Sequence, residues 1–265
     1  MSQSRFILDP LHQPLVVSFA RRKLLVALDF DGVLAPIAPS PAEARVEPPT
    51  LRLAGRVAQL YPSVVISGRH RDDLVPRLAG APFARLIGNF GYQSASRSSD
   101  PQARTQVHEW ARILGARLNG MPGVMIEDKG YSLAVHYRHA RHREATHARI
   151  IEVASTLAHA RWMQGTLAIS VLPADGRNKG TALQDIRRVL HCDCALYVGD
   201  DDTDEDAFAS DGPERLIAIR VGRAHQSHAP YRLHHQADID ALLRLLINLR
   251  TGQSGSGLRT PGSGT

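Results

Sequence analysis

Leu24-Leu25-Val26-Ala27-Leu28-Asp29-Phe30-Asp31-Gly32 decides the fold. Five apolar residues without polar alternation read as a strand buried on both faces, the pattern of a parallel sheet covered by helices. Two carboxylates then arrive at its C-terminal end. A second run, Ala195-Leu196-Tyr197-Val198, ends the same way, in Gly199-Asp200-Asp201-Asp202-Thr203-Asp204-Glu205-Asp206. In open α/β sheets, ligands bind beyond the carboxyl ends of the strands. Carboxylates gathered there repel one another unless a hard cation such as Mg²⁺ neutralises them, and Mg²⁺ combines a few carboxylates with substrate phosphate. The two runs therefore point to metal-assisted phosphoryl chemistry.

Outward from these runs, further apolar segments at 63–67, 85–88 and 216–221 predict parallel strands, separated by helical patterns at 41–60, 71–78, 180–190 and 237–249. The alternation predicts a Rossmann-like, doubly wound α/β sheet. The middle differs. Helical patterns at 102–118 and 143–159 and short strands at 124–127, 132–137 and 166–172 predict an α+β cap inserted into the core, its first two strands joined by Asp128-Lys129-Gly130-Tyr131 turn chemistry. The expected organisation is a lead over 1–22 with no assigned role, a catalytic core over 23–91 and 174–250, the cap over 92–173, and a disordered Gly/Ser/Thr-rich tail over 251–265.

Of 265 residues, 43% are hydrophobic, enough for a real core. No stretch reaches the roughly 18 apolar residues of a membrane span. Asp9, Pro10, His12 and Pro14 interrupt the N-terminal segment, so no secretory signal is expected and the expected location is cytoplasmic. Cys192 and Cys194 lack a second pair at metal-binding spacing and read as reduced thiols. The formal charge of +6 comes almost wholly from arginine, since only Lys23, Lys129 and Lys179 are lysines. Positive residues are spread along the chain without aromatic interleaving, which argues against nucleic acid and suits a small anionic substrate.

Four elements recur at strand ends or helix starts: Asp29-Phe30-Asp31-Gly32, Ser67-Gly68-Arg69, Asn178-Lys179-Gly180 and Gly199-Asp200-Asp201-Asp202-Thr203-Asp204. Each alone is common in turns. Together they resemble the phosphatases of the haloacid dehalogenase superfamily. The resemblance implies that Asp29 is the nucleophile that forms an aspartyl-phosphate, and that Asp31 protonates the leaving oxygen and then activates water. Ser67 and the backbone around Gly68 would hold phosphoryl oxygens, with Asn178 also on the phosphate-binding side; Ser67 suits a helix cap as well, and the two roles are compatible, while Lys179 would offset charge. Mg²⁺ would be held by Asp29, Asp31 through its carbonyl, and Asp200. Asp201 and Asp204 either support the site or coordinate directly. Glu205 and Asp206 suit the N-terminus of the next helix.

Within that superfamily, the stretch from Ile126-Glu127-Asp128-Lys129-Gly130-Tyr131 to His136-Tyr137-Arg138 is similar to the Glu-x-Lys hairpin of the trehalose-6-phosphate phosphatase family. The resemblance covers nearly all of 24–249 and implies that Glu127 accepts from sugar hydroxyls and Lys129 donates to sugar or phosphate, with Arg69 helping from the core. The chain departs from that family in two places. Gly88-Asn89-Phe90-Gly91 stands for Gly-x-His-Gly, and Ser170-Val171-Leu172-Pro173 stands for Glu-x-Arg-Pro. The expected activity is Mg²⁺-dependent hydrolysis of trehalose 6-phosphate by a protein expected to be monomeric. Another sugar phosphate, of sucrose or mannosylglycerate type, or a non-catalytic sensor of such esters, are the alternatives.

Overall fold

The computed structural model describes residues 4–93, 100–165, 167–223 and 226–252. In chain order the core begins with β1 (Arg5–Phe6), α1 (Gln13–Ala20), β2 (Leu24–Leu28), α2 (Pro48–Leu60), β3 (Ser63–Ile66), α3 (Arg71–Arg77) and β4 (Arg85–Ile87). The cap follows as α4 (Pro101–Arg117), β5 (Met125–Asp128), β6 (Leu133–His136), α5 (Arg143–Ala154), β7 (Ala160–Gly165) and β8 (Ala168–Pro173). The chain returns through α6 (Lys179–Val189), β9 (Cys194–Gly199), α7 (Glu205–Phe208), β10 (Leu216–Val221), β11 (Tyr231–Leu233) and α8 (Ile239–Thr251).

The core sheet has seven parallel strands in the order β1-β11-β10-β9-β2-β3-β4. Strand β2 is central and wholly buried. Its period of two sends Leu24, Val26 and Leu28 to one face, against Val16, Phe19, Val57, Leu242 and Leu246. Leu25 and Ala27 face the other side, with Leu183, Ile186, Tyr197 and Phe208. Successive connections run one way from β2 to β3 and β4, and the other way from β9 to β10 and β11. The crevice beyond β2 and β9 is therefore the topological switch point, where both acidic runs end.

The cap is a four-stranded antiparallel sheet, β5-β6-β8-β7. Leu133, Val135, Ile169 and Val171 pack under α4 and α5 with Trp110, Leu114, Ile150 and Val153. The opposite face carries the cross-strand row Glu127, Ala134, Ser170 and Met163.

Several expectations shift. The sequence reading places no strand at β1, β7 or β11 and lets a cap helix run to 159, whereas α5 ends at Ala154 and Ala160–Gly165 forms an edge strand. Arg161-Trp162-Met163-Gln164 is exposed or half-buried throughout and shows no period-two pattern. The lead is part of the core: β1 pairs with β11, and α1 buries Val16, Phe19 and Ala20. The helical pattern at 41–60 divides into a 3₁₀ turn at Pro41–Glu43 and helix α2, because Pro48 opens a helix while holding Glu47 extended (φ −61°, ψ 140°). The expected tail disorder falls on 253–265, outside the described residues. Thr251 is instead the last residue of α8, closed by left-handed Gly252 (φ 71°).

Candidate active site

Asp29 is the first residue past β2, and its N–H extends the ladder to the Val198 carbonyl at 2.9 Å. Its side chain is 6% exposed. Oδ1 accepts from the Phe30 N–H at 2.6 Å, and Oδ2 accepts from Lys179 Nζ at 2.6 Å. Lys179 opens α6, whose first turn is fixed by an Asn178–Thr181 capping box, and its ammonium also reaches Asp204 Oδ1 at 2.8 Å. A lysine 2% exposed thus lies between two buried carboxylates.

Asp204 accepts four hydrogen bonds: Lys179 Nζ and Tyr197 Oη (2.6 Å) on Oδ1, and the Asp200 and Asp201 N–H groups (2.9 and 3.2 Å) on Oδ2. Burial opposes its charge, but Lys179 and the Tyr197 hydroxyl hold its pKa below the ordinary value. Lys179 is raised well above its ordinary value, against burial, by Asp204 and Asp29. Asp201 is occupied within its turn, Oδ1 accepting from the Thr203 N–H (2.9 Å) and hydroxyl (2.6 Å).

Asp200 differs: among the described residues its carboxylate accepts no hydrogen bond. Burial, then Asp201, Asp29 and Asp204, push it up to about 9. Burial likewise pushes Asp29 up to about 8, with Lys179 opposing, and Asp201 up to about 6. Gly32 makes room for Asp200. Its φ is +69°, and a Cβ there would sit 2.0 Å from Asp200 Oδ2. Oxygens of Asp29, Asp200 and Asp204 lie within 4.8 Å of one another. With Asp204 saturated by donors and Asp29 paired with Lys179, Asp200 is the carboxylate of the three that has no donor among the described residues.

Asp31 faces the same cleft, held by Arg69 through Nε to Oδ2 (2.7 Å) and Nη2 to Oδ1 (2.8 Å). Arg69 also donates to Asp73 Oδ2 (2.6 Å) and the Pro41 carbonyl (2.8 Å), so its fork is fully engaged within the protein. Ser67 follows β3, 1% exposed, and its hydroxyl accepts from the Arg69 N–H at 3.3 Å. Helix α3 is capped by His70, not by Ser67.

Asp29, Asp31, Gly68, Arg69, Lys129, Lys179, Asp200 and Asp201 line one cleft. Ser67, Glu127, Asn178 and Asp204 lie outside its lining. Glu127 sits on the exposed edge of β5, paired with His136 Nε2 (2.8 Å), which holds its pKa below the ordinary value, and 3.9 Å from Lys129. Lys129 Nζ reaches the Gly68 carbonyl at 3.5 Å. Sequence reasoning overlooked the third wall, Ile37, Ala38, Ser40, Pro41 and Ala44 before α2, because a loop carries no periodic signal. It also gave no role to Arg138, which lines the cleft from the cap and whose guanidinium has no partner among the described residues. Phe90 and Ser170, where the chain departs from the family pattern, line the cleft as well.

A family model described as trehalose-phosphatase matches residues 27–237. The chain is 27% identical over 263 residues to trehalose 6-phosphate phosphatase RA3 of Zea mays, covering 89% of this chain and 73% of the maize protein. Its fold superposes on the C-terminal domain of the C. albicans trehalose-6-phosphate phosphatase with a TM-score of 0.77 at 22% identity, over 94% of this chain and 99% of that one. A sugar phosphatase of haloacid dehalogenase subclass IIB shares the fold at a TM-score of 0.58 and 16% identity, over 84% and 99% of the two chains. With a match across most of its length and acidic strand ends meeting in one cleft, the chain is a phosphatase and belongs to the trehalose-phosphatase family.

Proposed function

We propose that the chain hydrolyses trehalose 6-phosphate to trehalose and phosphate through an aspartyl-phosphate on Asp29. The observation that carries this reading is the buried Asp29–Lys179–Asp204 bridge, which opens into a cleft roofed by Lys129. An Asp29 oxygen attacks phosphorus as the bond to the sugar oxygen breaks, and Asp31 gives that oxygen its proton. Asp31 then accepts a proton from the water that attacks the aspartyl-phosphate, releasing phosphate and restoring Asp29. As held, Asp31 accepts two hydrogen bonds from Arg69, the arrangement of the base step. Lys179 keeps Asp29 oriented and offsets charge as the phosphoryl group arrives.

The donors fit a hard divalent cation such as Mg²⁺: an Asp200 carboxylate with no partner among the described residues, beside Asp29, whose cationic partner Lys179 is shared with Asp204. Asp29, Asp200 and the Asp31 carbonyl would hold it, and it would neutralise these carboxylates and draw the phosphoryl oxygens into place. Asp204 acts in support, because both its oxygens are taken by donors of the protein, and Asp201 is held in its turn by the Thr203 N–H and hydroxyl on Oδ1.

Residues 92–173 act as the cap that closes over substrate, on a core formed by 23–91 and 174–250. Lys129 and Arg138 present cationic donors to the sugar phosphate, and Glu127 meets sugar hydroxyls at the mouth. Buried, unpaired Cys192 and Cys194 support a cytoplasmic setting. The apolar Phe90 ring and short Ser170 hydroxyl in the lining favour a second reading, a different sugar phosphate. Phosphate release from trehalose 6-phosphate, glucose 6-phosphate and sucrose 6-phosphate, in Mg²⁺ and in EDTA, separates the two. Mg²⁺-dependent preference for the trehalose ester is expected, and preference for another ester would move the substrate.

A further inference from the structure

Asn89 belongs to the core, between β4 and α4, and is fully buried. Its side-chain amide nevertheless reaches into the cap. Nδ2 donates to the Lys129 carbonyl, and Oδ1 accepts from the Ser132 hydroxyl at 2.7 Å. The orientation is forced, because a carbonyl can only accept and so takes the NH₂ end. We propose that Asn89 is a positioning residue: it clasps the turn between β5 and β6 and so aims Lys129 into the cleft. This rests on the reading that the cleft hydrolyses a sugar phosphate held by Lys129.

Three observations carry the inference. First, the Lys129 backbone is held on both sides, its N–H by the Ser132 carbonyl at 3.0 Å and its carbonyl by Asn89, which leaves the side chain pointing to Gly68. Second, Asn89 is itself tied to the phosphate-side loop. Its N–H donates to the Arg69 carbonyl at 2.7 Å, and the next N–H, of Phe90, donates to the Ser67 carbonyl at 3.0 Å. One residue therefore fixes the distance between the Ser67–Arg69 loop and the hairpin opposite. Third, Asn89 and Phe90 have φ of 50° and 56°, a left-handed pair that Asn tolerates and Phe does not favour. The strained turn is what directs the amide across the gap.

The clasp is separable from cap attachment. On another edge, Arg161 of β7 forms a two-pronged ion pair with Asp206 of α7, at 3.0 and 2.7 Å. Without the clasp the cap stays docked and the hairpin loses its aim.

The test is Asn89→Asp, which keeps the size, the left-handed backbone and the acceptor for Ser132, but sets an oxygen against the Lys129 carbonyl. Ser132→Ala is the milder second variant. For Asn89→Asp, kcat/KM on trehalose 6-phosphate is expected to fall about 10- to 100-fold, the scale of a misplaced binding group, mostly through KM, while p-nitrophenyl phosphate, which has no sugar to grip, keeps most of its rate. Acylation of Lys129, read by mass spectrometry against Lys23, is expected to rise severalfold in both variants. Equal loss on both substrates, or unchanged Lys129 labelling, would overturn the clasp. If wild type proves inactive on all sugar phosphates, the functional reading fails, and the labelling still decides whether Asn89 holds Lys129.

Discussion

Lys179 Nζ lies 2.6 Å from Asp29 Oδ2, although 150 positions separate the two residues. The contact closes the sheet edge chemically: β2 delivers the carboxylate, and the start of α6 delivers the cation. Both groups are buried, so neither has water as a substitute partner, and each sets the ionisation of the other.

Asp29→Asn keeps the shape of the side chain but removes the nucleophile. Phosphate release is expected to fall by at least about 10³-fold, with the circular dichroism spectrum unchanged. Wild-type turnover in this variant would assign the attack to another group.

Asp200→Asn separates stability from activity. In the metal-free protein Asp200 is half-buried beside like charges with no donor among the described residues, so the amide is expected to stabilise the fold by on the order of 2 kcal/mol near pH 8, seen as a higher midpoint in EDTA. Mg²⁺-supported activity is expected to collapse. A destabilised variant in EDTA would mean that Asp200 has a favourable partner.

Gly32→Ala is expected to raise the Mg²⁺ concentration for half-maximal activity more than about tenfold, because the new Cβ must push Asp200 away at a left-handed position. Titration of activity against Mg²⁺ reads this directly. A change in thermal midpoint alone, with the Mg²⁺ requirement unaltered, would show that Asp200 accommodates the methyl group.

Burial raises Asp29 to about 8 and Asp200 to about 9 from 3.8. An acid with a raised folded-state pKa stabilises the fold fully below its unfolded value, and that stabilisation is lost as pH rises through the folded value. From these two groups the metal-free protein is expected to lose stability between about pH 4 and pH 9. Mg²⁺ must displace the same protons, so its stabilising effect is expected to grow over that range. Thermal midpoints with Mg²⁺ and with EDTA at about pH 6.5 and about pH 8.5 test the sign. A larger Mg²⁺ effect at the lower pH would refute it.

Strands β2 and β9 were legible because an unbroken apolar run ending in carboxylates has few other solutions in an α/β chain. The cap hairpin was legible from its turn residues. Strand β7 was not, since Arg161-Trp162-Met163-Gln164 is never fully buried and lacks alternation. The acidic run around Asp200 could be seen but not divided. The folded arrangement alone reveals that Asp204 is saturated by Lys179, Tyr197 and two backbone N–H groups while Asp200 has no donor among the described residues. The Asn89 clasp was illegible for another reason. Its partners lie 40 and 43 residues away, and Asn beside Gly88 and Gly91 reads as ordinary turn chemistry.

The cap's helices and sheet share one apolar interior, whereas its links to the core include an ion pair and an amide clasp. Salt screens a half-buried ion pair such as Arg161–Asp206, but it cannot replace Trp110 or Leu114. On the proposed reading the cap would move as one rigid body over a salt-sensitive seam, and ionic strength would become a control on how quickly product leaves.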